Sequence, residues 1–584
     1  MEAHPPILTL YNSLSQQLDG GRSLTENLAG AFTTTGDKCL DFFATVVRDT
    51  SVKDAIDGFL AAWNEDPDKT IKLILSLRDI RNGKGEKKLP LLLMYLLSCW
   101  KPLTYLANFH NFIKVGCYKD LLVIAELAVR CANIPHCGRL EQLGNDLELS
   151  VMAAQLNQDD RDLEANGKAG ISLCAKWAPS EMRHYSKKPL YFSRKISRSI
   201  GLKKSQYRKK LSKLRQHLRV LEGLMCNGKY EEIVFSSLPA KAHRQYRNAF
   251  KRGANVKKEA SEGRRKLAHR YANYLADLSV GKETIKSRGT QPHELVVPYM
   301  ASQAEVDATI EGQWKALVGE LAKSGNFKKC QAVCDVSGSM EGVPMQVAVA
   351  LGLLVSELTE EPFRGQLITF HQNPKLHKIK GHNLKERVED VISMEWGGNT
   401  DLLKVFDLLL RTVAEEPAAK MVEKLFIFTD MQFDAALGGQ WSTTYEQICQ
   451  KYAAAQTKVP QIIFWNLRAT AKSFPVMKEQ AGTALVSGFS AQLLKVFMEA
   501  SHFHPLMIMN LTLDKYDITP VPQAERYPIA ADASWESSFR QVNKMVQDFL
   551  LPKTRRQQKK ENDGRDAGQS DSDSPMDDQQ EGQP

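Results

Sequence analysis

Ten cysteines in 584 residues are too few for a disulfide scaffold. Most of them, Cys99, Cys174 and Cys330 among them, sit in apolar surroundings and read as buried free thiols of a reducing compartment. Cys131 and Cys137 flank His136, but no second ligand pair follows at zinc-site spacing. Cys330 and Cys334 lie four apart on one strand face and read as core. The N-terminus lacks a basic start followed by a long apolar run, so no signal peptide is expected. The most apolar stretch, Leu89 to Trp100 (LPLLLMYLLSCW), is too short to span a bilayer and reads as a buried helix. No G-x-S-x-G elbow and no G-x-x-x-x-G-K-[S/T] phosphate loop is present, and no fixed-period repeat stands out. These absences predict a soluble, intracellular, cytoplasmic protein that is not an enzyme.

What is present begins with charge. Of all residues 43% are hydrophobic and 25% charged, enough to build several cores. The net charge of +10 is unevenly spread. Between Glu181 and Arg270 stand 26 Lys and Arg against 6 Asp and Glu, so this segment carries +20 and the remainder −10. A localised positive field points to a polyanionic partner.

Five segments follow from the patterning. Residues 1–35 form an N-terminal segment. Residues 36–298 form an all-α domain containing the basic helical region 183–270. Residues 299–326 form a connecting helix, 327–550 an α/β domain, and 551–584 a disordered charged tail. From about residue 6 to 175 apolar residues recur at three- and four-residue steps, as in Ile56, Phe59, Leu60, Trp63, and helical pairs of the HEAT or α-solenoid kind are expected. Asp66-Pro67-Asp68 separates two of these helices. Gly289 to Pro298 is a Pro-bearing connector. From Phe327 short strands alternate with helices. Strands are expected at Lys329–Cys334, Gln366–His371, Leu425–Thr429 and Gln461–Asn466. Helices are expected at Pro344–Leu358, Leu384–Ile392, Leu402–Val413 and Ala491–Ala500. This alternation predicts a doubly wound, Rossmann-like parallel sheet. In the tail, Lys553, Arg555, Arg556, Lys559 and Lys560 read either as a nuclear import signal or as a solvated run before the acidic tract Ser570–Ser574.

Asp335-Val-Ser337-Gly-Ser339 directly follows the strand QAVC, and Asp430 ends the strand FIFTD. Thr400 lies in the loop Trp396-Gly-Gly-Asn-Thr400, whose glycines let the backbone bend close. In an open α/β sheet, ligands bind beyond the carboxyl ends of the strands. Three hydroxyls and two carboxylates are an all-oxygen set, suited to a hard cation such as Mg²⁺ or Mn²⁺. Read blandly, the hydroxyls only cap turns and helices. A phosphoryl-accepting Asp335 would be expected to have a second carboxylate two residues on, but Ser337 stands there. The combination resembles the metal-ion-dependent adhesion site (MIDAS) of von Willebrand factor A domains. That resemblance implies a cation held by Asp335, Ser337, Ser339, Thr400 and Asp430, with one position open to a partner's acidic group.

The basic region holds Arg194, Lys195, Lys203, Lys204, Arg208, Lys209, Lys210, Lys213, Arg215 and Arg219. A second stretch adds Arg244, Arg247, Lys251 and Arg252. Tyr207, Leu211, Leu214, Leu218 and Leu221 share one helical face, leaving the cations elsewhere. Such cations neutralise phosphates, and interleaved Tyr and His can stack on bases. The competing readings are a solvated face, an anionic membrane surface, and acidic protein surface, including the net-negative remainder of this chain.

Leu77-Arg-Asp-Ile-Arg81-Asn-Gly-Lys84-Gly-Glu86 and Val115-Gly-Cys-Tyr-Lys-Asp120-Leu-Leu resemble signatures of TROVE-type helical-repeat domains. Ala175-Lys-Trp177-Ala-Pro179-Ser, Met225-Cys-Asn-Gly and Leu238-Pro-Ala-Lys-Ala-His fit the same group. It is a family of eukaryotes and giant viruses that joins a TROVE-like domain to a C-terminal von Willebrand A domain, over roughly residues 35 to 550. By architecture it is similar to the Ro ribonucleoproteins, in which helical repeats form a ring closed by the A domain and RNA binds the basic outer surface. The resemblance implies an RNA-binding scaffold or RNA quality-control factor with no sequence-specific reading. The alternative is a metal-dependent protein-interaction module without RNA.

Overall fold

The computed structural model describes residues 21–139, 146–166, 170–181, 183–252, 261–301, 305–325, 327–370, 374–394, 401–415, 422–434, 442–469, 472–529 and 533–550. A helical region is followed by a region built on a mixed β-sheet. The tail from residue 551 lies outside the described residues.

The helical region is punctuated by caps written into the sequence. Asp66 ends the helix Val52–Glu65 and caps Pro67–Arg78, its carboxylate accepting from the Lys69 amide at 2.9 Å. Pro67 occupies the first turn, where its missing N–H costs nothing. The apolar run Leu89–Trp100 is a helix buried on nearly every side, as its composition predicts. Side chains gather into three successive cores: one around Phe42, Phe59, Trp63 and Leu92, one around Leu122, Met152, Phe192 and Leu211, and one around Phe235, Phe250 and Tyr271.

The N-terminal part departs from the helical expectation. Arg22–Leu24 (β1) and Gly30–Phe32 (β2) form an antiparallel hairpin. It bridges to the sheet region through Leu28 with Asp434, Gly30 with Thr443 and Phe32 with Phe474. Gly30 is required there, because a Cβ would lie 2.2 Å from the Ser442 carbonyl oxygen.

The sheet contains Cys330–Asp335 (β3), Gln366–Phe370 (β4), Lys375–Lys378 (β5), Lys424–Thr429 (β6), Gln461–Asn466 (β7) and Thr483–Ser487 (β8). The strand order is β5-β4-β3-β6-β7-β8. All pairings are parallel except β4–β5, so the expected all-parallel sheet is corrected to a mixed one with an antiparallel edge. The edge strand KLHK is short, charged and mostly exposed, so it carried no apolar signal. The central strands bury alternate residues on opposite faces. Ala332, Cys334, Phe426, Phe428, Ile463 and Trp465 meet the helix Val343–Leu358. Val333, Leu425, Ile427, Ile462 and Phe464 meet the helices Leu402–Glu415 and Thr444–Ala454. Gly352 lets the first helix come close, since a Cβ would sit 2.5 Å from Cys334 Sγ.

Both ends of the helical region reach the sheet region. Leu295, Tyr299, Ile310 and Trp314 join the core beneath the Val343–Leu358 helix. At the other end, Leu513, Tyr516, Phe539 and Val542 complete the core of the first helices. The connecting helix, Ala308–Ala322, is therefore part of a core and not a free link.

Candidate metal centre and basic surface

β3 and β6 are neighbours in the sheet, but the chain leaves their carboxyl ends in opposite directions along the strand order. That reversal opens a crevice between them, the general ligand position of doubly wound sheets. Asp335, the last residue of β3, and Asp430, the first after β6, both meet there fully buried. Asp335 Oδ1 accepts the Ser337 amide at 2.9 Å, and Oδ2 accepts the Thr429 hydroxyl at 2.8 Å. Burial first, then the Asp430 charge, push the Asp335 carboxyl up to about 7. Ser337 and Ser339 bring their hydroxyls to 3.0 Å from each other. Asp430 Oδ1 accepts the Gln432 amide at 3.1 Å, while its buried Oδ2 accepts no hydrogen bond. A buried carboxylate oxygen without a donor carries a desolvation cost that a cation relieves. The residues present therefore fit a hard cation. Thr400 lies outside the described residues.

Among the described residues no cluster of three or more His, Cys, Asp or Glu side chains is placed to hold a metal. Among the described residues the crevice holds two such groups, Asp335 and Asp430, beside the hydroxyls of Ser337 and Ser339. The cysteines are free thiols, and burial raises both Cys131 and Cys137 to about 12.

Two further residues stand at this rim outside the motif. Thr429 supplies a hydroxyl to Asp335, and only its place before Asp430 could have flagged it. Arg468, beyond β7, donates through Nη1 to the Ser339 carbonyl and stands 4.0 Å from Asp430 Oδ2. The β1–β2 hairpin also braces the rim. Thr25 Oγ1 donates to Phe433 O at 2.7 Å, and Asn27 Nδ2 donates to Gln432 O at 2.9 Å.

The basic candidates divide into two groups. Lys195 pairs with Asp146, Lys204 with Glu181, Lys210 with Asp160, and Lys213 with both Asp160 and Glu164. Arg244 pairs with Glu294 and Arg247 with Asp307. Arg215 is half-buried and donates to the Ala175 and Ala178 carbonyls and to Ser180 Oγ, so it braces a loop instead of facing outward. Arg194, Lys203, Arg208, Lys209, Arg219, Lys251 and Arg252 are exposed and have no ion pair among the described residues. Of the interleaved Tyr and His expected to stack on bases, Tyr207 and His243 are buried. Their spacing reflected packing.

The two glycine-bearing signatures serve the fold. Arg78 donates to both carboxylate oxygens of Asp120, at 2.9 and 3.0 Å, joining one signature to the other. Asp79 accepts from Tyr516 OH at 3.2 Å, and Glu86 accepts from Arg48 Nε at 3.2 Å. Lys84 is fully buried and donates to Ser487 Oγ at 2.6 Å, to Val46 O at 3.1 Å and to Phe43 O. The turn thus bolts the first helices to the end of β8.

This arrangement defines a two-region protein, helical then doubly wound, with a carboxylate–hydroxyl crevice at the strand-order reversal. The chain belongs to the family of the domain of unknown function DUF2828, whose model matches residues 25–140 and 149–327. Residues 329–519 match a second domain of unknown function, DUF7788. An uncharacterized protein of Acanthamoeba polyphaga mimivirus is 41% identical over 534 residues, covering 90% of this chain and 93% of that protein. Among the described residues no helix is long and apolar enough to cross a membrane.

Proposed function

We propose that the chain is a non-catalytic scaffold whose sheet region is a von Willebrand A-type module presenting Mg²⁺ or Mn²⁺ to a carboxylate of a protein partner. The carrying observation is the buried, donor-less Asp430 Oδ2 in the crevice that also holds Asp335, Ser337 and Ser339. Asp335, Ser337, Ser339, Asp430 and, by the motif, Thr400 would hold the ion. The ion would act as a Lewis acid toward an incoming carboxylate. The strand order with one antiparallel edge supports the module assignment. The test is thermal melting of the full chain in Mn²⁺, in Mg²⁺ and in chelator. Either ion is expected to raise the melting temperature of the wild type but not of Asp335→Ala or Asp430→Asn. Identical melting in all three solutions would sink the reading.

A second reading, RNA binding by a TROVE-like helical region, is favoured by Arg194, Arg208 and Lys209 on consecutive helices and Lys203 just before the second, all exposed and without an ion pair among the described residues. The docking of both ends of the helical region onto the sheet region is in keeping with a Ro-like architecture. Charge reversal at Arg208 and Lys209 is expected to weaken binding of single-stranded RNA and to flatten its salt dependence. Equal affinity and salt slope in the variant would remove this reading while leaving the first intact.

A further inference from the structure

Arg468 stands two residues beyond the carboxyl end of β7, next to β6 in the sheet. Its amide donates to Asn466 Oδ1 at 2.9 Å, which fixes the turn, and Asn466 in turn donates to Ala44 O at 3.2 Å. The guanidinium therefore leaves a held backbone and reaches back over the crevice. Nη1 donates to the carbonyl of Ser339, one of the candidate ligands, and lies 4.0 Å from Asp430 Oδ2. At that separation it offsets charge without supplying the hydrogen bond that the buried oxygen lacks. The Arg468 side chain is 39% exposed and the Asp430 side chain 1%, so the arginine has room to swing into solvent and the carboxylate has none.

We infer that Arg468 is a built-in counter-cation of the crevice, which a divalent ion must displace in order to bind. This rests on the cation reading proposed above. Two like charges cannot share one carboxylate pair without cost. A divalent ion entering between Asp335 and Asp430 meets the guanidinium and drives it outward. The displaced side chain then lies at the rim, facing the direction from which an acidic partner approaches. The arrangement lowers affinity for the free ion and couples ion entry to an outward swing of the Arg468 side chain.

The test is titration of the full chain with Mn²⁺, reading free Mn²⁺ by electron paramagnetic resonance, for wild type, Arg468→Gln, Arg468→Lys and Asp430→Asn. Arg468→Gln is expected to bind Mn²⁺ on the order of tenfold more tightly, the scale of one charge against a divalent ion a few ångströms away in a water-like medium. Arg468→Lys keeps the charge and is expected to stay near wild type. Equal or weaker binding by Arg468→Gln, with wild-type binding intact and lost in Asp430→Asn, overturns the counter-cation role and leaves the cation site standing. No Mn²⁺ binding in any variant, or binding that survives Asp430→Asn, overturns the cation reading and this inference with it.

Discussion

Replacing Lys84 by Met tests the junction between the helical and sheet regions. The ammonium of Lys84 is 1% exposed and lies among the Phe43 and Val46 carbonyls and the Ser487 hydroxyl. Burial lowers its pKa from 10.5 to about 7, and the Glu86 charge opposes that fall only in part. The sign follows from proton counting. Between about pH 7 and pH 10 the unfolded chain holds a proton on this lysine that the folded chain has released, so stability rises with pH. Below about pH 7 the burial penalty is fully present. Each unit is worth about 1.4 kcal/mol, so wild type gains about 2 kcal/mol from this group between about pH 7 and pH 9. Lys84→Met has no proton to release and lacks that gain. Its absolute stability is not diagnostic, because the loss of a buried charge is offset by carbonyls left without a donor. The difference between the two pH profiles is diagnostic. The other lowered lysines, Lys87, Lys88, Lys101, Lys424 and Lys515, contribute to both profiles and cancel. In thermal melts the wild type is expected to gain roughly 2–3 °C relative to the variant over that interval, because the unfolding entropy grows with the size of the unit that melts. Parallel profiles would show that the charge is not held in a desolvated site, and the reasoning would fail.

Three further outcomes are expected. Asp120→Asn breaks a pair whose side chains are 9% and 13% exposed, and should cost about 3 kcal/mol in chemical denaturation; a cost no larger than about 0.5 kcal/mol would mark the pair as surface-like. Gly30→Ala drives a Cβ into the Ser442 carbonyl and should release the β1–β2 hairpin. Hydrogen exchange would then rise across residues 22–32 while the core around Trp63 and Leu92 keeps its protection, and unchanged exchange would contradict the clash. Glu525→Ala removes the acceptor for the Leu103 and Thr104 amides at the start of the helix Pro102–Val115, at a cost of about 1–3 kcal/mol. That loss should appear as faster exchange in the first turn of the helix, and an unaltered turn would argue that another group caps it.

Local chemistry made much of the architecture legible. Asp66-Pro67 marks a helix boundary because a carboxylate satisfies free amides and proline tolerates the first turn. The QAVCD and FIFTD runs mark buried strands because both faces are covered, and strand-end topology puts Asp335 and Asp430 in one crevice. Fainter elements were lost. The exposed edge strand Lys375–Lys378 has no hydrophobic alternation, and Thr483–Ser487 (TALVS) is too short to stand out from a turn. The β1–β2 hairpin is stable only against residues some 400 positions later, so its own sequence does not announce it.

The sequence by itself determined the order of the two regions, the Asp-x-Ser-x-Ser run with Asp430 at strand ends, and the placement of positive charge. These depend on residue type and short spacing. Only the tertiary structure decided which basic side chains are exposed and which brace the fold, that Arg468 reaches over the crevice to Ser339, and that Lys84 is a buried bolt. Those facts turn on which distant groups meet: Arg215 with Ala175, Arg468 with Ser339 and Lys84 with Ser487. The energy of a charge is set by its surroundings, and a one-dimensional pattern carries the charge without the surroundings.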